Sequence, residues 1–310
     1  MNQSNGNNSV KAKGSAYEAA GRIGIFDSGL GGLSVLKPLT RMAPNLHLDY
    51  YADSLYCPYA TKDSDFIRKR ALDISLELIA HGAEVVVVAC NTASAAGLNW
   101  LRTRLTVPVV GMEPAVKPAA HATLTGRIGV LATSITLSAD RFADLLERFT
   151  SGVKVFTEPA PELVELVESG RLEGQPVEKI TGDKVAALMK HDVDVIVLGC
   201  THFPFLASLI GRLAGPNVKI IETGSSVAAQ TIRVHQALSD GHPRALNKPL
   251  QENPSTSTAA QTAGIRLWTS ADVETILKNS SKLLPDLHLT PGRHAPPTHH
   301  KKKPTQPHKS

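Results

Sequence analysis

The sequence predicts an α/β protein of two similar units, each with a parallel β-sheet covered by helices. Short apolar, β-branched runs alternate with helical stretches along the chain, as at 84–89, which reads EVVVVA. Strands that are apolar on both faces are typical of a parallel sheet buried between helices. The pattern also restarts near residue 127, so the second half resembles the first.

The restart is specific enough to indicate an internal repeat. RIGVLAT at 127–133 echoes RIGIFDS at 22–28, an offset of 105 residues. DVDVIVLGCTH, which contains Cys200, echoes AEVVVVACNT, which contains Cys90, and these cysteines stand 110 residues apart. Nearly equal offsets predict a repeat of about one domain. We therefore expect two halves related by pseudo-two-fold symmetry, with an active site in the cleft between them.

Each half is expected to begin with a buried strand that ends in a polar turn. Strands are predicted at 23–26, 46–52, 84–89, 107–111, 127–133, 195–198, 217–222 and 265–269. Helices are predicted at 34–41, 65–81, 92–104, 225–239 and 270–284, the last with Ser270 as its N-cap.

The same pattern gives the expected domain organisation. The first domain is expected at 22–116 and again at 225–288, with a polar loop at 241–263, and the second domain at 117–224. A disordered extension at 1–21 and a disordered basic tail at 289–310 are expected at the two ends.

Composition excludes several classes of function. The net charge of +5 is concentrated in the tail at 293–310, which holds five Lys and Arg residues and no acid, so no basic binding face is expected. Aromatic residues make up only 5%, too few for a platform that stacks single-stranded nucleic acid. We expect a cytoplasmic protein, because no secretory signal or membrane span is recognisable and three cysteines suit free thiols.

Four polar groups are expected at the carboxyl ends of strands, where ligands bind in open α/β sheets. They are Asp27-Ser28-Gly29, Cys90-Asn91-Thr92, Thr133-Ser134 and Cys200-Thr201-His202. A cysteine just before a helix faces the positive end of that helix, which predicts a lowered thiol pKa. A buried structural cysteine is the alternative for either residue alone, but matched positions in two repeats favour function.

Two facing thiols can invert a stereocentre without a cofactor, because one removes a proton and the other adds one to the opposite face. Asp27 could assist Cys90, and His202 stands two residues after Cys200. A cysteine phosphatase loop is excluded, because Ala96 and Leu206 occupy the positions that would need arginine. A zinc site built from the two cysteines, His202 and Asp27 is conceivable, although paired ligand spacings are missing.

Successive blocks of the chain resemble the signature motifs of glutamate racemases. These blocks are IGIFDSGLGGLSVL, YYADSLYCPYATK, VVACNTASA, PVVGMEPAVKPA, IGVLAT, PELVELVESG, VIVLGCTHFPFL and IETGSSVA, in order between residues 22 and 284. The resemblance implies that Cys90 and Cys200 are the acid/base thiols, with Asp27 assisting Cys90, and His202 and Glu168 assisting Cys200. It also implies the substrate-binding residues Asp27, Ser28, Pro58, Tyr59, Ala60, Asn91, Thr92, Cys200, Thr201 and His202.

The chain departs from that pattern at two positions. Ala60 replaces the glycine that usually follows Pro-Tyr, which adds a methyl group to the expected wall of the substrate pocket. Cys57 is an additional cysteine, interpreted as a packing or surface residue.

The resemblance implies conversion between L- and D-glutamate for peptidoglycan synthesis, with no cofactor and no metal. The expected partner is the small-molecule substrate, with a possible homodimer and no membrane or direct nucleic acid binding. One alternative is an aspartate or hydantoin racemase, although HFP after Thr201 favours glutamate. The other is a regulator on a racemase scaffold that binds a protein such as DNA gyrase through 1–21.

Overall fold

The computed structural model describes residues 21–239 and 264–292, which contain ten strands and eleven α-helices. The strands are β1 Arg22–Asp27, β2 His47–Ala52, β3 Val85–Val88, β4 Val109–Val110, β5 Arg127–Ala132, β6 Lys154–Pro159, β7 Val195–Leu198, β8 Lys219–Ile221, β9 Ile265–Thr269 and β10 Leu289–Pro291. The helices are α1 Leu33–Met42, α2 Ser64–Ala80, α3 Asn91–Arg102, α4 Val116–Ala122, α5 Ser134–Ser138, α6 Asp140–Phe149, α7 Pro161–Glu168, α8 Gln175–Met189, α9 Ala207–Ala214, α10 Gly224–Ser239 and α11 Val273–Leu283.

The strands form two sheets in which every described pairing is parallel. The first sheet has the order β10-β9-β2-β1-β3-β4, and the second has the order β6-β5-β7-β8. Each half therefore places its own second, first, third and fourth strands side by side in that order. The predicted α/β fold class with two parallel sheets is confirmed, and the pseudo-two-fold relation stays a prediction.

The central strands of the first sheet are buried on both faces, because alternate residues of β1 and β3 enter different apolar clusters. Ile23 and Val85 belong to the cluster that includes α1 and α10, whereas Phe26 and Val86 belong to the cluster that includes α2 and α3. Since side chains alternate across a strand, a continuous apolar run is what two covered faces require. This burial leaves the strand ends as the positions where polar groups can gather.

The end of the described chain returns to the first sheet. β9 pairs with β2 from Leu48↔Ile265 to Ala52↔Thr269, and α10 packs against α1. None of the described helices is long and apolar enough to cross a membrane.

Two expectations for this region were wrong. Leu289–Pro291 was placed in a disordered tail, but it forms β10, which pairs with β9 because the edge of that strand offers free backbone groups. Ser270 is not the N-cap of α11; the Asp272 carboxylate accepts the Thr275 N–H at 2.8 Å. The rest of the predicted disorder, at 1–20 and 293–310, and the predicted polar loop at 241–263 fall outside the described residues.

Candidate active site

Hydrogen bonds join the two halves where the strands of both sheets end. The Leu30 N–H donates to Glu168 Oε1 at 2.6 Å, and the Thr201 hydroxyl donates to Asp27 Oδ2 at 3.4 Å. The Thr92 and Thr133 hydroxyls lie 2.9 Å apart. Residues from the ends of β1, β3, β5 and β7 are thus brought to one place, as the sequence predicted for a site between the halves.

Cys90 lies at the carboxyl end of β3 and is the N-cap of α3. Its Sγ accepts the Ala93 N–H at 3.4 Å, and its thiol donates to Ser28 Oγ at 3.8 Å. Only 4% of the residue is exposed. Cys90 is therefore almost completely enclosed by protein atoms.

The pKa of Cys90 contradicts the expectation drawn from its helix. Burial raises the pKa of this thiol well above its ordinary value, and the Asp27 carboxylate raises it further. The hydrogen bond from the Ala93 N–H acts in the opposite direction but is outweighed. The helix N-terminus is present as predicted. However, the free-energy cost of moving a thiolate out of water exceeds the stabilisation that the helix gives it, so the thiol keeps its proton.

Asp27 is the last residue of β1 and is fully buried. Its Oδ2 accepts the Gly32 N–H at 2.7 Å, and its Oδ1 accepts the Ser28 hydroxyl at 3.5 Å, while Ser28 Oγ in turn lies 3.8 Å from Cys90 Sγ. Burial raises the pKa of Asp27 above its ordinary value, an effect that His202 partly offsets. Asp27 is therefore placed to pass a proton to Cys90 or take one from it.

Cys200 follows β7 as Cys90 follows β3, but its partner is an imidazole. His202 Nδ1 lies 3.6 Å from Cys200 Sγ, and Nε2 lies 2.5 Å from Glu168 Oε1. The His202 side chain is 2% exposed and that of Glu168 is 18% exposed. This chain of sulfur, imidazole and carboxylate can move a proton to and from Cys200.

The hydrogen bonds of His202 favour its charged form. Burial by itself would lower the pKa of His202, but hydrogen bonds with Cys200, Cys57 and Glu168 raise it well above its ordinary value. A charged imidazole beside Cys200 can give a proton to that sulfur and, once neutral, can take one from it.

The GLGG turn after β1 is required by the close approach of the second half. A Cβ atom at Gly29 would overlap the Glu168 carboxylate, and one at Gly31 would overlap the His202 ring. Glycine lets the backbone come near enough for the Leu30 N–H to bind Glu168. Any side chain at these two positions would push Glu168 and His202 away from Cys200.

Asn91 is the clearest candidate for direct contact with a substrate. Its residue is 3% exposed, and neither its amide nitrogen nor its amide oxygen has a hydrogen-bond partner in the structure. Leaving such groups buried and unpaired costs about 1–3 kcal/mol each. Because Asn91 directly follows Cys90, these atoms are free to bind a polar ligand beside that sulfur.

The loop that contains Pro58, Tyr59 and Ala60 is fixed by a hydrogen bond from Tyr59 to Asp53. The Tyr59 hydroxyl donates to Asp53 Oδ2 at 2.5 Å, and Arg70 binds the same carboxylate through two hydrogen bonds of 2.5 and 3.0 Å. The Tyr59 hydroxyl is thereby occupied, so this loop would contact a substrate through other groups.

Sequence reasoning gave two residues of this region no role. The sequence places Thr133 at a strand end but assigns it no contact; its hydroxyl lies 2.9 Å from the hydroxyls of both Thr92 and Thr136. It corresponds to Ser28 at the repeat offset of 105. Cys57 packs against the core as expected, but its sulfur also lies beside Glu168 and His202. No local pattern in the sequence predicts that neighbourhood.

Comparison with known proteins agrees with this geometry. Residues 32–231 match the family model described as Asp/Glu/Hydantoin racemase. The chain belongs to this racemase family. The racemase is 43% identical over 253 residues to a glutamate racemase of Ectopseudomonas mendocina, covering 81% of this chain and 90% of the relative. It is 44% identical over 257 residues to one of Pseudomonas aeruginosa, covering 83% and 91%.

Solved structures resemble the racemase over nearly its whole described length. A glutamate racemase isoform from Bacillus anthracis superposes with a TM-score of 0.72 at 28% identity, covering 88% of this chain and 96% of that one. The Escherichia coli glutamate racemase, in complex with L-glutamate and the activator UDP-MurNAc-Ala, gives a TM-score of 0.69 at 27% identity, covering 85% and 95%. The racemase therefore shares their two-domain fold.

Proposed function

We propose that this racemase interconverts L-glutamate and D-glutamate with two thiols and no cofactor. The observation that carries the proposal is the placement of Cys90 and Cys200. Each follows the third strand of its own sheet, and each lies beside its own acid/base partner, Asp27 or His202.

The two thiols act on opposite faces of the substrate Cα. In the direction from L to D, the Cys200 thiolate takes the Cα proton, and the Cys90 thiol gives its proton to the other face. In the reverse direction the roles exchange, with Asp27 assisting Cys90, and His202 and Glu168 assisting Cys200. The raised pKa of Cys90 suits its role as donor, because the thiol holds its proton until the carbanion forms.

Polar groups around the sulfurs are suited to an amino acid with two carboxylates. The unpaired amide of Asn91 and the hydroxyls of Ser28, Thr92 and Thr201 offer hydrogen bonds at the ends of the strands. Backbone N–H groups at the start of α3 add a site for negative charge. Glutamate is favoured over aspartate because the relatives of high identity are glutamate racemases.

The decisive assay is chiral analysis of the products. Purified full-length protein is incubated in D₂O with L-glutamate, L-aspartate or L-glutamine, without added cofactor. We expect D-glutamate to form from L-glutamate and to carry deuterium at Cα, in the presence of EDTA or hydroxylamine as well. D-Aspartate as the main product would favour the alternative, and loss of activity in EDTA that zinc restores would favour a metal enzyme.

Several wider aspects belong to the same proposal. D-Glutamate made in this way would supply peptidoglycan synthesis in the cytoplasm and thus cell wall biogenesis and cell shape. A homodimer and a gyrase-binding role stay predictions, and both can be read from size-exclusion chromatography and a pulldown with and without 1–21.

A further inference from the structure

The mechanism leaves one thiol of this region without a task. Cys57 is partly buried, and its Sγ lies within 4.8 Å of ligand atoms from both Glu168 and His202, which are themselves within that distance of each other. The three side chains offer sulfur, imidazole nitrogen and carboxylate oxygen. This combination of donors is one that zinc binds in proteins.

We propose that Cys57, Glu168 and His202 bind a Zn²⁺ ion, and that the bound ion inhibits the racemase. The site is distinct from the zinc site considered for the two catalytic thiols, since Cys57 supplies its sulfur. The effect on activity rests on the proposed function, whereas binding of the ion does not.

The geometry requires only small movements. Zinc binds sulfur at about 2.3 Å and nitrogen or oxygen at about 2.0–2.2 Å, so tetrahedral ligand atoms lie roughly 3.3–3.6 Å apart. The three atoms already lie within 4.8 Å of one another. His202 Nε2 and Glu168 Oε1, now 2.5 Å apart, would separate by about 1 Å as the ion replaces the proton between them. Water would take the fourth position.

The chemistry of the ligands selects the ion. Mg²⁺ and Ca²⁺ prefer sets made of oxygen atoms, and this cluster offers only one carboxylate. Thiolate and imidazole favour zinc and other thiophilic divalent ions.

Inhibition follows from which residues the ion would occupy. His202 and Glu168 form the proton path of Cys200, and coordination to zinc would remove both from it. Cys200 would then lose the imidazole that exchanges protons with it. Zinc bound here is therefore an inhibitor that EDTA removes, in contrast to a catalytic metal.

Binding can be measured without any assay of activity. Full-length protein dialysed against EDTA is titrated with Zn²⁺ in competition with a chromophoric chelator, and separately with Co²⁺ to record a thiolate-to-cobalt charge-transfer band. The variants are Cys57→Ala and, as the matched control, Cys200→Ala, which removes the other thiol beside His202. We expect one tight equivalent and the cobalt band in wild type and in Cys200→Ala.

Cys57→Ala should weaken zinc binding by at least about 100-fold and abolish the cobalt band, because loss of a direct ligand exceeds the 10–100-fold cost of losing an outer-shell partner. Zinc should also raise the Tm of wild type but not that of Cys57→Ala, since an ion that binds only the folded state stabilises it. If Cys57→Ala does not fold, Glu168→Gln must show the same weakening of binding.

Activity provides the second arm. Zinc should inhibit wild-type racemisation and EDTA should restore it, whereas the activity that Cys57→Ala retains should be unaffected by the same concentration of zinc. Equal zinc affinity in wild type and Cys57→Ala, or loss of binding in Cys200→Ala alone, would overturn the proposal. Tight binding through Cys57 in a protein with no racemase activity would instead support the metal site and refute the proposed function.

Discussion

The surroundings of the two thiols differ although their positions in the two sheets correspond. β1 ends in Asp27, whereas β5 ends in Ala132 at the corresponding position. In the second half the acid/base group comes from His202, and Thr92 stands at the matching place in the first half, 110 residues earlier. A repeated backbone thus carries a carboxylate beside one sulfur and an imidazole beside the other.

Because one sulfur has a carboxylate as its neighbour and the other an imidazole, the two sulfurs are suited to different roles. The Asp27 carboxylate and burial raise the pKa of Cys90, so that thiol tends to hold its proton. His202, whose pKa is raised by its hydrogen bonds, places a positive charge beside Cys200. In the proposed mechanism, corresponding strand ends would thus carry an acid at one face of the substrate and a base at the other.

The largest expected effect tests whether both thiols are needed. Cys90→Ser and Cys200→Ser should each lower the rate of racemisation by at least about 10²–10⁴-fold, because each removes one positioned acid or base. Circular dichroism of L- and D-glutamate solutions over time measures the rate. Cys57→Ser is the matched control, since it changes a thiol beside His202 that transfers no proton to the substrate, and its rate should fall far less.

The same serine variants can separate the two faces. With a β-substituted or N-hydroxy analogue only one proton must be removed to expel the leaving group, so Cys200→Ser should process only the D form and Cys90→Ser only the L form. Equal elimination from both enantiomers in either variant would indicate a single base and would refute the assignment of one thiol to each face of the substrate.

The helper residues should give smaller and unequal defects. Asp27→Asn and His202→Asn should lower kcat by about 10²-fold, near the lower end for an acid/base group. The equilibrium constant between enantiomers is one, so kcat/KM must fall equally in both directions. The asymmetry should appear in the Cα deuterium isotope effect, which should grow for D-glutamate in Asp27→Asn and for L-glutamate in His202→Asn. The same change for both substrates would contradict separate helpers.

The raised pKa of Cys90 predicts that replacing Asp27 changes the rate of elimination by about tenfold at a given pH on the rising part of the pH profile. Elimination from the D analogue by Cys200→Ser requires the Cys90 thiolate, and since burial and Asp27 raise that pKa, the rate should keep rising into the alkaline range. Adding Asp27→Asn removes the negative charge, so the rising limb should move to lower pH by about one unit. If the pH dependence of the rate does not shift, Asp27 does not raise the pKa of Cys90.

The smallest effect concerns Ala60, which the family resemblance places in the wall of the substrate pocket. Ala60→Gly should change kcat/KM by only a few-fold, because Ala60 lies in a short 3-10 turn, Tyr59–Thr61, that the Tyr59–Asp53 hydrogen bond holds in place. It should lower the free energy of unfolding by about 0.4–1 kcal/mol, since glycine gives the unfolded chain more freedom. Urea melts and steady-state kinetics measure both. A large rise in KM would show that the methyl group contacts the substrate.

Much of the site could be predicted because its residues follow strands in a repeated pattern. Asp27, Cys90 and Cys200 are close to the ends of buried apolar runs, and the topology of a parallel sheet brings such ends together. Glu168 could be assigned only through the resemblance to known racemases. It lies at the end of α7 and reaches the Leu30 N–H, 138 residues away in sequence, so no local spacing records the contact.

The sequence by itself determined the alternation of strands and helices, the repeat, and the pair of cysteines, since these depend on local apolar pattern and on spacing along the chain. Only the tertiary structure decided the charge of each thiol's surroundings. The helix N-terminus at Cys90 predicted a lowered pKa, but full burial and Asp27 raise it. The physical reason is that desolvation and electrostatic interactions depend on everything packed around a group, and most of those neighbours are distant in sequence.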